Sequence, residues 1–251
     1  MKNKTCLLTG SSGKLGKALL PELKKNYEVL HPSKADFDIT KEQDVDEYFK
    51  KNSVGFVVHT AAMARMSECE KDPDNAFKVN SIGTLNIVKA IINMSLTGHQ
   101  IRMLHISTDG VYESTKGNYS EHSPTQPYNI YGWSKLFAEK AVSTLNNYCI
   151  VRTRFFDPKN IIHNESATDI KTSAIEINLL VKKLLDLLDS SFVGIINVGS
   201  EGMSEYDRYK KYKPDLKKCI RADIVKNLDY EIAVDATMNI EQLIKFNTQN
   251  G

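Results

Sequence analysis

Several features that mark special classes of protein are missing from this 251-residue sequence. It has no run of about 18 apolar residues, which by sequence excludes a transmembrane helix. Its start, MKNKTCLLTG, leads directly into an apolar strand, and this argues against a secretory signal. Thirteen glycines and seven prolines are too few for a collagen-like or low-complexity chain. We therefore expect a globular protein of the cytoplasm.

The sequence also has little excess charge and few cysteines. Its 33 Lys and Arg against 31 Asp and Glu give a formal net charge of +2. A nucleic-acid-binding protein carries a larger positive charge, so we expect neither nucleic acid nor membrane among the partners. The four cysteines form no CxxC pair and have no zinc-ligand spacing with a histidine. We expect no metal, and four reduced, mostly buried thiols at Cys6, Cys69, Cys149 and Cys219.

What the sequence does contain is an alternation of strand-like and helix-like segments. Helices are predicted at residues 15–25, from a Thr40 and Gln43 capping box, from Pro73 capped by Asp72 to about residue 94, and at 131–145. Buried strands are predicted between them, at Thr5–Leu8, Tyr27–Leu30, Val54–His59, Ile101–Ile106 and Tyr148–Arg152. This order predicts an α/β fold, a Rossmann-type doubly wound parallel sheet. Further along, we predict a loop at Phe155–Thr172, a helix at Ile175–Leu188 and a strand at Val193–Val198.

The first strand runs into a glycine turn with GxxGxxG spacing at Gly10, Gly13 and Gly16. Gly10 permits a tight strand-to-helix turn, Gly13 lets the backbone approach a pyrophosphate, and Gly16 lets the helix pack closely on the strand. The N-terminus of the following helix presents free N–H groups and a positive dipole end. A glycine turn between a first strand and a first helix predicts dinucleotide binding.

A second group of residues indicates catalysis. Tyr131 and Lys135 lie four residues apart on one predicted helix and therefore share a face. We expect the lysine ammonium to lower the pKa of the phenol towards the working range of an acid catalyst. Ser107, Thr108 and Asp109 end a predicted strand, at the edge where parallel sheets bind ligands. Each feature alone also fits an ordinary surface pair or a polar turn, but their combination is more specific.

These motifs make the sequence similar to the extended short-chain dehydrogenase/reductase superfamily. The matching segments are TGSSGKLG from residue 9, HTAA at 59–62, KVNSIGT around Asn80, HISTDGVY at 105–112 and YGWSK at 131–135. DFDIT at 36–40 and VRT at 151–153 most resemble the dTDP-4-dehydrorhamnose reductase (RmlD-like) group. The resemblance implies an NAD(P)-binding Rossmann domain over residues 1–155. It implies a C-terminal region over 156–251 that partly completes this fold and partly forms a substrate lobe.

The reaction that the resemblance implies is reduction by NAD(P)H of a keto group on a nucleotide-linked deoxysugar. Tyr131 would donate the proton, Thr108 would bind the keto oxygen, and Lys135 would bind the nicotinamide ribose. Asp109 and Phe155 would contact the sugar. The implied cofactor contacts are Gly10, Ser11, Ser12, Gly13, Lys14, Leu15, Ser33, Lys34, Asp38, Ile39, Thr60, Ala61, Ala62, Met63, Asn80, Ser107, Tyr131 and Lys135.

The end of the second predicted strand favours NADP(H) over NAD(H). NAD-preferring proteins usually carry a carboxylate there, whereas this sequence reads His31-Pro32-Ser33-Lys34. Ser33 and Lys34 are suited to a ribose 2′-phosphate, so NADP(H) is favoured and NAD(H) is the alternative.

Other interpretations stay open at the level of the sequence. One is a nucleotide-sugar epimerase or dehydratase. The dehydratases of this superfamily, however, resemble one another in having a glutamate at the position that Gly110 occupies here. Another is a non-catalytic NADP-binding regulatory subunit, similar to that of methionine adenosyltransferase, and a homodimer is also considered. RYKKYK at 208–213 is expected to be a solvated face, with a nucleotide diphosphate contact as a further interpretation. His59 and His105 are expected to be packed rather than metal-ligating.

Overall fold

The computed structural model describes residues 4–250, and its longest strands lie in one parallel sheet. The strands are β1 (Thr5–Thr9), β2 (Glu28–Leu30), β3 (Phe56–His59), β4 (Arg102–Thr108), β5 (Tyr148–Thr153), β6 (Phe155–Phe156), β7 (Glu165–Ala167), β8 (Lys171–Thr172), β9 (Ile175–Glu176), β10 (Gly194–Val198), β11 (Met203–Ser204), β12 (Lys217–Cys219) and β13 (Asp235–Ala236). The main sheet has the order β10-β5-β4-β3-β1-β2. The doubly wound parallel sheet is thereby confirmed.

Helices connect these strands and cover both faces of the sheet. They are α1 (Lys14–Leu23), α2 (Glu42–Lys51), α3 (Met66–Lys71), α4 (Pro73–Phe77), a π-helix (Lys78–Ile82), α5 (Gly83–Leu96), a 3₁₀ turn (Asp109–Val111), α6 (Ile130–Val142), α7 (Ile177–Asp189), α8 (Glu205–Lys210), α9 (Arg221–Val225) and α10 (Glu241–Asn250). Over residues 4–250, none of these helices is long and apolar enough to cross a membrane.

The sheet is buried on both sides because successive strand residues point to opposite faces. Leu8, Leu104 and Val151 pack with α1, α7 and α10 on one face. Their chain neighbours Leu7, Met103 and Ile150 pack with α2 and α5 on the other. This explains why the strands read as continuous apolar runs. Cys6, Cys69 and Cys149 are buried free thiols, as expected, and Cys219 is half-buried.

The winding of the sheet creates one crevice at its carboxyl edge. From β1 the chain goes to β2 on one side and then returns to β3 on the other, before continuing outward to β4 and β5. Connections that leave in opposite directions at β1 and β3 open a gap between the loops there, and α/β folds of this kind bind ligands in such gaps. The glycine turn after β1 and residues 60–63 after β3 flank this gap.

The start of α2 differs from the sequence prediction. The helix begins at Glu42, and Thr40 does not cap it. Instead, the Asp38 carboxylate accepts hydrogen bonds from the Thr40 N–H at 3.0 Å and from its hydroxyl at 2.8 Å. The predicted capping box with Gln43 is therefore wrong, because Lys41 stands at the N-cap and Asp38 takes the Thr40 N–H that the Gln43 side chain would have bonded. The Asp72 cap of α4 is confirmed, since its carboxylate accepts from the Asn75 N–H.

The predicted loop at Phe155–Thr172 is wrong in part, because it contains β6, β7 and β8. Each of these strands pairs with a strand further along the chain: β6 with β9, β7 with β12, and β8 with β11 and β13. Pairs of two or three residues with distant partners have no periodicity that a sequence window could detect. Of the C-terminal strands, β10 joins the main sheet beside β5, whereas the short strands pair only with one another.

Candidate functional site

The glycine turn after β1 is built from contacts that only glycine allows. Gly10 has a φ of +71°, and a Cβ on it would lie 2.6 Å from the backbone nitrogen of Ala61. A Cβ on Gly16 would lie 2.2 Å from the carbonyl oxygen of Gly10. Gly13 stands at the N-cap of α1, so no side chain covers the first N–H groups of that helix. The turn brings a free helix N-terminus to the crevice, as an anion site requires.

The crevice has a volume of about 570 Å³, within the range of small-molecule sites. Of the predicted cofactor contacts, it is lined by Gly10, Ser11, Ser12, Gly13, Ser33, Lys34, Asp38, Ile39, Thr60, Ala61, Ala62 and Met63. It is also lined by residues that were not among the predicted contacts, namely Thr9, His31, Pro32, Phe37, Thr40, Asn75 and Val79. Most of these lie next to predicted contacts in the chain. Lys14 and Leu15 form the first turn of α1, with Lys14 exposed and Leu15 in the core.

Four further predicted contacts, Asn80, Ser107, Tyr131 and Lys135, lie outside this lining. Asn80 is buried, and its amide bonds both backbone groups of Met63 at 2.8 and 3.0 Å and the Ser134 hydroxyl at 2.9 Å. It therefore ties the segment after β3 to α6. The Ser107 hydroxyl donates to the Glu139 carboxylate at 2.5 Å, inside the core. Both side chains support the walls of the site.

Thr108 and Tyr131 meet where β4 ends and α6 begins. Asn129 caps α6 by accepting from the Gly132 N–H at 2.7 Å, and this places Tyr131 in the first turn. Thr108 accepts from the Gly110 N–H at 3.0 Å and donates to Asp109 at 3.1 Å. Burial first, and the Asp109 charge second, raise the pKa of Tyr131 well above its usual range. The phenol is therefore protonated at neutral pH, as a proton donor must be.

Lys135 lies on the same helix but its side chain does not follow the prediction. It is 2% exposed, and its Nζ lies 3.3 Å from Nε2 of His105. Burial lowers the pKa of Lys135 to about 8, against the opposing charge of Glu139. The groups that lower the pKa of Tyr131 are Arg154 and the Thr108 hydroxyl. The expectation that Lys135 tunes Tyr131 is thus corrected for this structure, because the buried ammonium turns to the imidazole beneath it.

His59 and His105 are packed, as predicted. Their rings stack with centroids 5.3 Å apart, and both are fully buried. The ring of His59 is held by the hydroxyls of Thr9 at 2.7 Å and Thr84 at 3.0 Å. Burial and the nearby Lys135 ammonium lower the pKa of His59 to about 3, so its ring is neutral. These neutral rings form a polar floor under Lys135.

Arg154 and Glu205 are site residues that the sequence analysis missed. Arg154 follows β5, and its Nε donates to the Asp109 carboxylate at 2.6 Å. Its Nη1 lies 3.9 Å from the Glu205 carboxylate on α8. The position of Arg154 beside the end of β4 could have been found, because carboxyl ends of neighbouring parallel strands share an edge. Nothing in the sequence indicates the approach of Glu205.

Arg208 occupies another place than expected, whereas the sugar contact of Phe155 stays a prediction. Phe155 is half-buried and packs against the core cluster that contains Ile175, on the same side as α7. Arg208 is buried, not part of a solvated face, and this prediction is wrong. Its guanidinium donates to the Ser200 hydroxyl and to the Thr172 carbonyl oxygen, both at 2.6 Å. Arg208 therefore joins β8 to the segment that follows β10.

Comparison with known proteins agrees with this architecture. The RmlD substrate binding domain family matches residues 4–158. This chain belongs to that family. A dTDP-4-dehydrorhamnose reductase of Sinorhizobium fredii is 25% identical over 231 residues, covering 82% of this chain and 75% of that protein. Other curated relatives match over about half of their own length.

The similarity to a solved structure extends over nearly the whole of this chain. The dTDP-4-dehydrorhamnose reductase of Bacillus anthracis, in complex with NADP, superposes with a TM-score of 0.86 at 26% identity, over 98% of this chain and 93% of that one. A different kind of relative is the methionine adenosyltransferase 2 subunit beta of Xenopus laevis. It is 27% identical over 148 residues, covering 56% of this chain and 43% of that protein.

Proposed function

We propose that this chain reduces a keto group on a nucleotide-linked deoxysugar with NADPH. The observation that carries the proposal is the meeting of the protonated Tyr131 phenol and the Thr108 hydroxyl at the carboxyl edge of the sheet, the edge at which the crevice beside the glycine turn also opens. Two relatives named dTDP-4-dehydrorhamnose reductase, one of them bound to NADP, support the same reaction.

The residues of the crevice fit a dinucleotide. The uncapped N-terminus of α1 and the backbone from Gly10 to Gly13 suit the pyrophosphate, and the gap between the loops suits the two riboses. Thr60 to Met63 form the opposite wall. Lys14 and Lys17 are the charged residues in the first turn of α1, so the charge there also favours an anion.

The chain's residues would carry the proton side of the reaction. Thr108 would turn its hydroxyl proton from Asp109 to the keto oxygen and so orient it, and Tyr131 would give its phenolic proton to that oxygen as the alcohol forms. Bound NADPH supplies the hydride that adds to the keto carbon. Lys135 would leave His105 to bind the nicotinamide ribose, and Asp109 would lie against the sugar. Holding donor and acceptor in one orientation is the protein's main contribution.

A direct assay tests the proposal. Purified protein is mixed with NADPH and a dTDP-4-keto-6-deoxy sugar, and the loss of NADPH and the formation of the reduced sugar nucleotide are followed together. We expect both, in equal amounts. A panel of UDP- and GDP-linked keto sugars identifies the base, and the absence of turnover on every member would contradict the proposal.

The same assay separates reductase from dehydratase. A 4,6-dehydratase needs an acid and a base at this edge. Here Gly110 has no side chain, and the nearby Glu113 pairs with Lys116 at 3.8 Å. We therefore expect no 4-keto product from an unmodified dTDP-, UDP- or GDP-hexose. Its formation without consumption of NADPH would favour the dehydratase.

The cofactor choice has its own test. Ser33 and Lys34 line the crevice at the end of β2, and Lys34 is exposed, as a partner for a 2′-phosphate should be. We expect calorimetry to show tighter binding of NADPH than of NADH. Lys34→Ala should weaken NADPH binding by about tenfold, or about 1.4 kcal/mol, and leave NADH binding unchanged. Lys25→Ala, remote from the crevice and also exposed, is the control. Equal losses for both cofactors would contradict this role of Lys34.

A second candidate function is regulatory, and the similarity to a methionine adenosyltransferase subunit favours it. In that case the crevice would bind NADP(H) and the chain would act on a partner enzyme. Affinity purification of the full chain from its source cells discriminates. A stoichiometric methionine adenosyltransferase in the eluate, together with no turnover of keto sugars, would support this second function.

We also propose a homodimer that functions in the cytoplasm. The support for the dimer is an exposed aromatic surface on α4 and α6, where Phe137 packs against Phe77 and Trp133 with centroids 5.7 and 6.4 Å apart. Surfaces of this kind are typical of protein interfaces. The support for the cytoplasm is the free state of the cysteines, which fits a reducing compartment.

A further inference from the structure

Charges and a hydroxyl from neighbouring segments act on the pKa of the Tyr131 phenol. Asp109 in the 3₁₀ turn and Cys69 on α3 raise it, whereas Arg154 after β5 and the Thr108 hydroxyl at the end of β4 lower it. On its own helix, the nearest cation in sequence, Lys135, is engaged with His105. The positive charge that acts on Tyr131 in this structure therefore belongs to Arg154.

Asp109 works against the acidity of Tyr131 in two ways. It is a carboxylate with 1% exposure, so its charge is poorly screened by water. It also accepts the proton of the Thr108 hydroxyl at 3.1 Å. A hydroxyl has one proton to donate. Asp109 therefore competes with a phenolate on Tyr131 for the Thr108 proton, whose bond to Tyr131 lowers the pKa of the phenol.

A buried carboxylate of this kind needs a partner, and Arg154 is that partner. The 2.6 Å bond from Arg154 Nε fixes one carboxylate oxygen, while Thr108 is bonded to the other. The second carboxylate near Arg154, that of Glu205, is farther away at 3.9 Å and more exposed. Asp109 is therefore the main partner of the guanidinium.

We propose that Arg154 is a positioning residue that holds Asp109 against Thr108 and offsets the Asp109 charge at the Tyr131 phenol. The inference rests on the proposed function, in which Tyr131 donates the proton. Asp109 orients Thr108, and Arg154 prevents this carboxylate from making Tyr131 too weak an acid. Removing the Asp109 charge should therefore lower the pH midpoint of Tyr131 ionisation, and removing the Arg154 charge should raise it. A purely structural ion pair would not shift this midpoint in opposite directions.

The ionisation can be measured without any substrate. The full chain is labelled with 3,5-difluorotyrosine, whose fluorines make the phenol more acidic, and the ¹⁹F spectrum is followed against pH. The Tyr131 signal is assigned by its loss in Tyr131→Phe. Asp109→Asn should lower the midpoint by about one pH unit or more, and Arg154→Met should raise it by a similar amount. Arg154→Lys should restore most of the wild-type value.

Two further variants complete the test. The double variant Asp109→Asn with Arg154→Met removes both charges, and its midpoint should return to within about half a unit of the wild type. Arg221→Met is the matched control, because Arg221 is also 25% exposed and pairs with Glu231 at 2.8 Å, and the Tyr131 signal should not change. A midpoint that falls or stays constant in Arg154→Met would overturn the inference.

The two proposals can fail separately. If Arg154→Met does not fold, Asp109→Asn and Arg154→Lys still decide, since an unchanged midpoint in Asp109→Asn overturns the inference alone. If the midpoints move as expected but no keto sugar is reduced, the electrostatic role of Arg154 stands and the proposed reaction fails. In an active enzyme, Arg154→Met should reduce kcat with little change in the affinity for NADPH.

Discussion

Tyr131 is the residue on which the proposed chemistry depends, because it is a protonated phenol beside the Thr108 hydroxyl. Tyr131→Phe keeps the ring and removes the proton. We expect kcat to fall by about a hundredfold or more, with the dissociation constant of NADPH nearly unchanged. Tyr148→Phe, at the amino end of β5 on the opposite edge of the sheet, is the control. Turnover near the wild-type level in Tyr131→Phe would show that another group donates the proton.

Burial of the Lys135 ammonium lowers the stability of the folded protein. Burial lowers the pKa of this ammonium from its usual 10.5 to about 8. Below about pH 8 the lysine is charged in both states, and the folded state bears the full desolvation cost. Between pH 8 and 10.5 only the unfolded chain keeps the proton, so the penalty fades as pH rises.

Lys135→Met should therefore stabilise the protein at neutral pH. At about 1.4 kcal/mol per pKa unit, the gain in the free energy of unfolding is at most roughly 3.5 kcal/mol, and it should shrink between pH 8 and 10.5. Urea unfolding across this pH range measures it, with the exposed Lys140→Met as control. A gain that does not depend on pH would show that packing, not charge, is responsible. NADPH binding should weaken in the same variant.

At the scale of elements, the turn between β1 and α1 is the most constrained part of the fold. Gly16→Ala would place a methyl group 2.2 Å from the Gly10 carbonyl oxygen. Because that atom is backbone, the helix must move away from the strand. We expect a loss of about 2–3 kcal/mol in the free energy of unfolding and a loss of NADPH binding. Lys17→Ala, exposed on the same helix, should change stability by less than about 0.5 kcal/mol. Equal stability of the two variants would contradict this packing argument.

Elements with strong periodicity were predictable, and those made by distant pairing were not. The five strands before residue 155 and the helices at α1, α6 and α7 lie within a few residues of their predicted bounds. The helix from Pro73 was predicted as one piece, but the π-helix at Lys78–Ile82 interrupts it. Asn80 lies within this π-helix and bonds Met63 and Ser134. The interruption therefore coincides with tertiary contacts, which a local sequence pattern does not contain.

At the scale of the whole molecule, the aromatic surface on α4 and α6 predicts association. Phe137, at the centre of this surface, is 56% exposed. Phe137→Glu should shift the chain from dimer to monomer in sedimentation velocity without loss of stability. Leu179→Glu is the matched control, since Leu179 is 48% exposed but lies on α7. A wild-type chain that sediments as a monomer at all concentrations would contradict the proposed homodimer. Trp133, the only tryptophan, offers a fluorescence signal for the same equilibrium.

The sequence by itself determined the sheet, the glycine turn and the positions of Thr108 and Tyr131. Strand and helix patterns and turn glycines are local, and the parallel order then requires polar strand ends to share one edge. Only the tertiary structure decided which charges meet there. Lys135 turns to His105, Arg154 binds Asp109, and Glu205 approaches from a segment some fifty residues later. These contacts depend on side-chain directions and on burial. The strength of a charge interaction is set by the distance between the two charges and by the water around them, and no local sequence pattern contains either quantity.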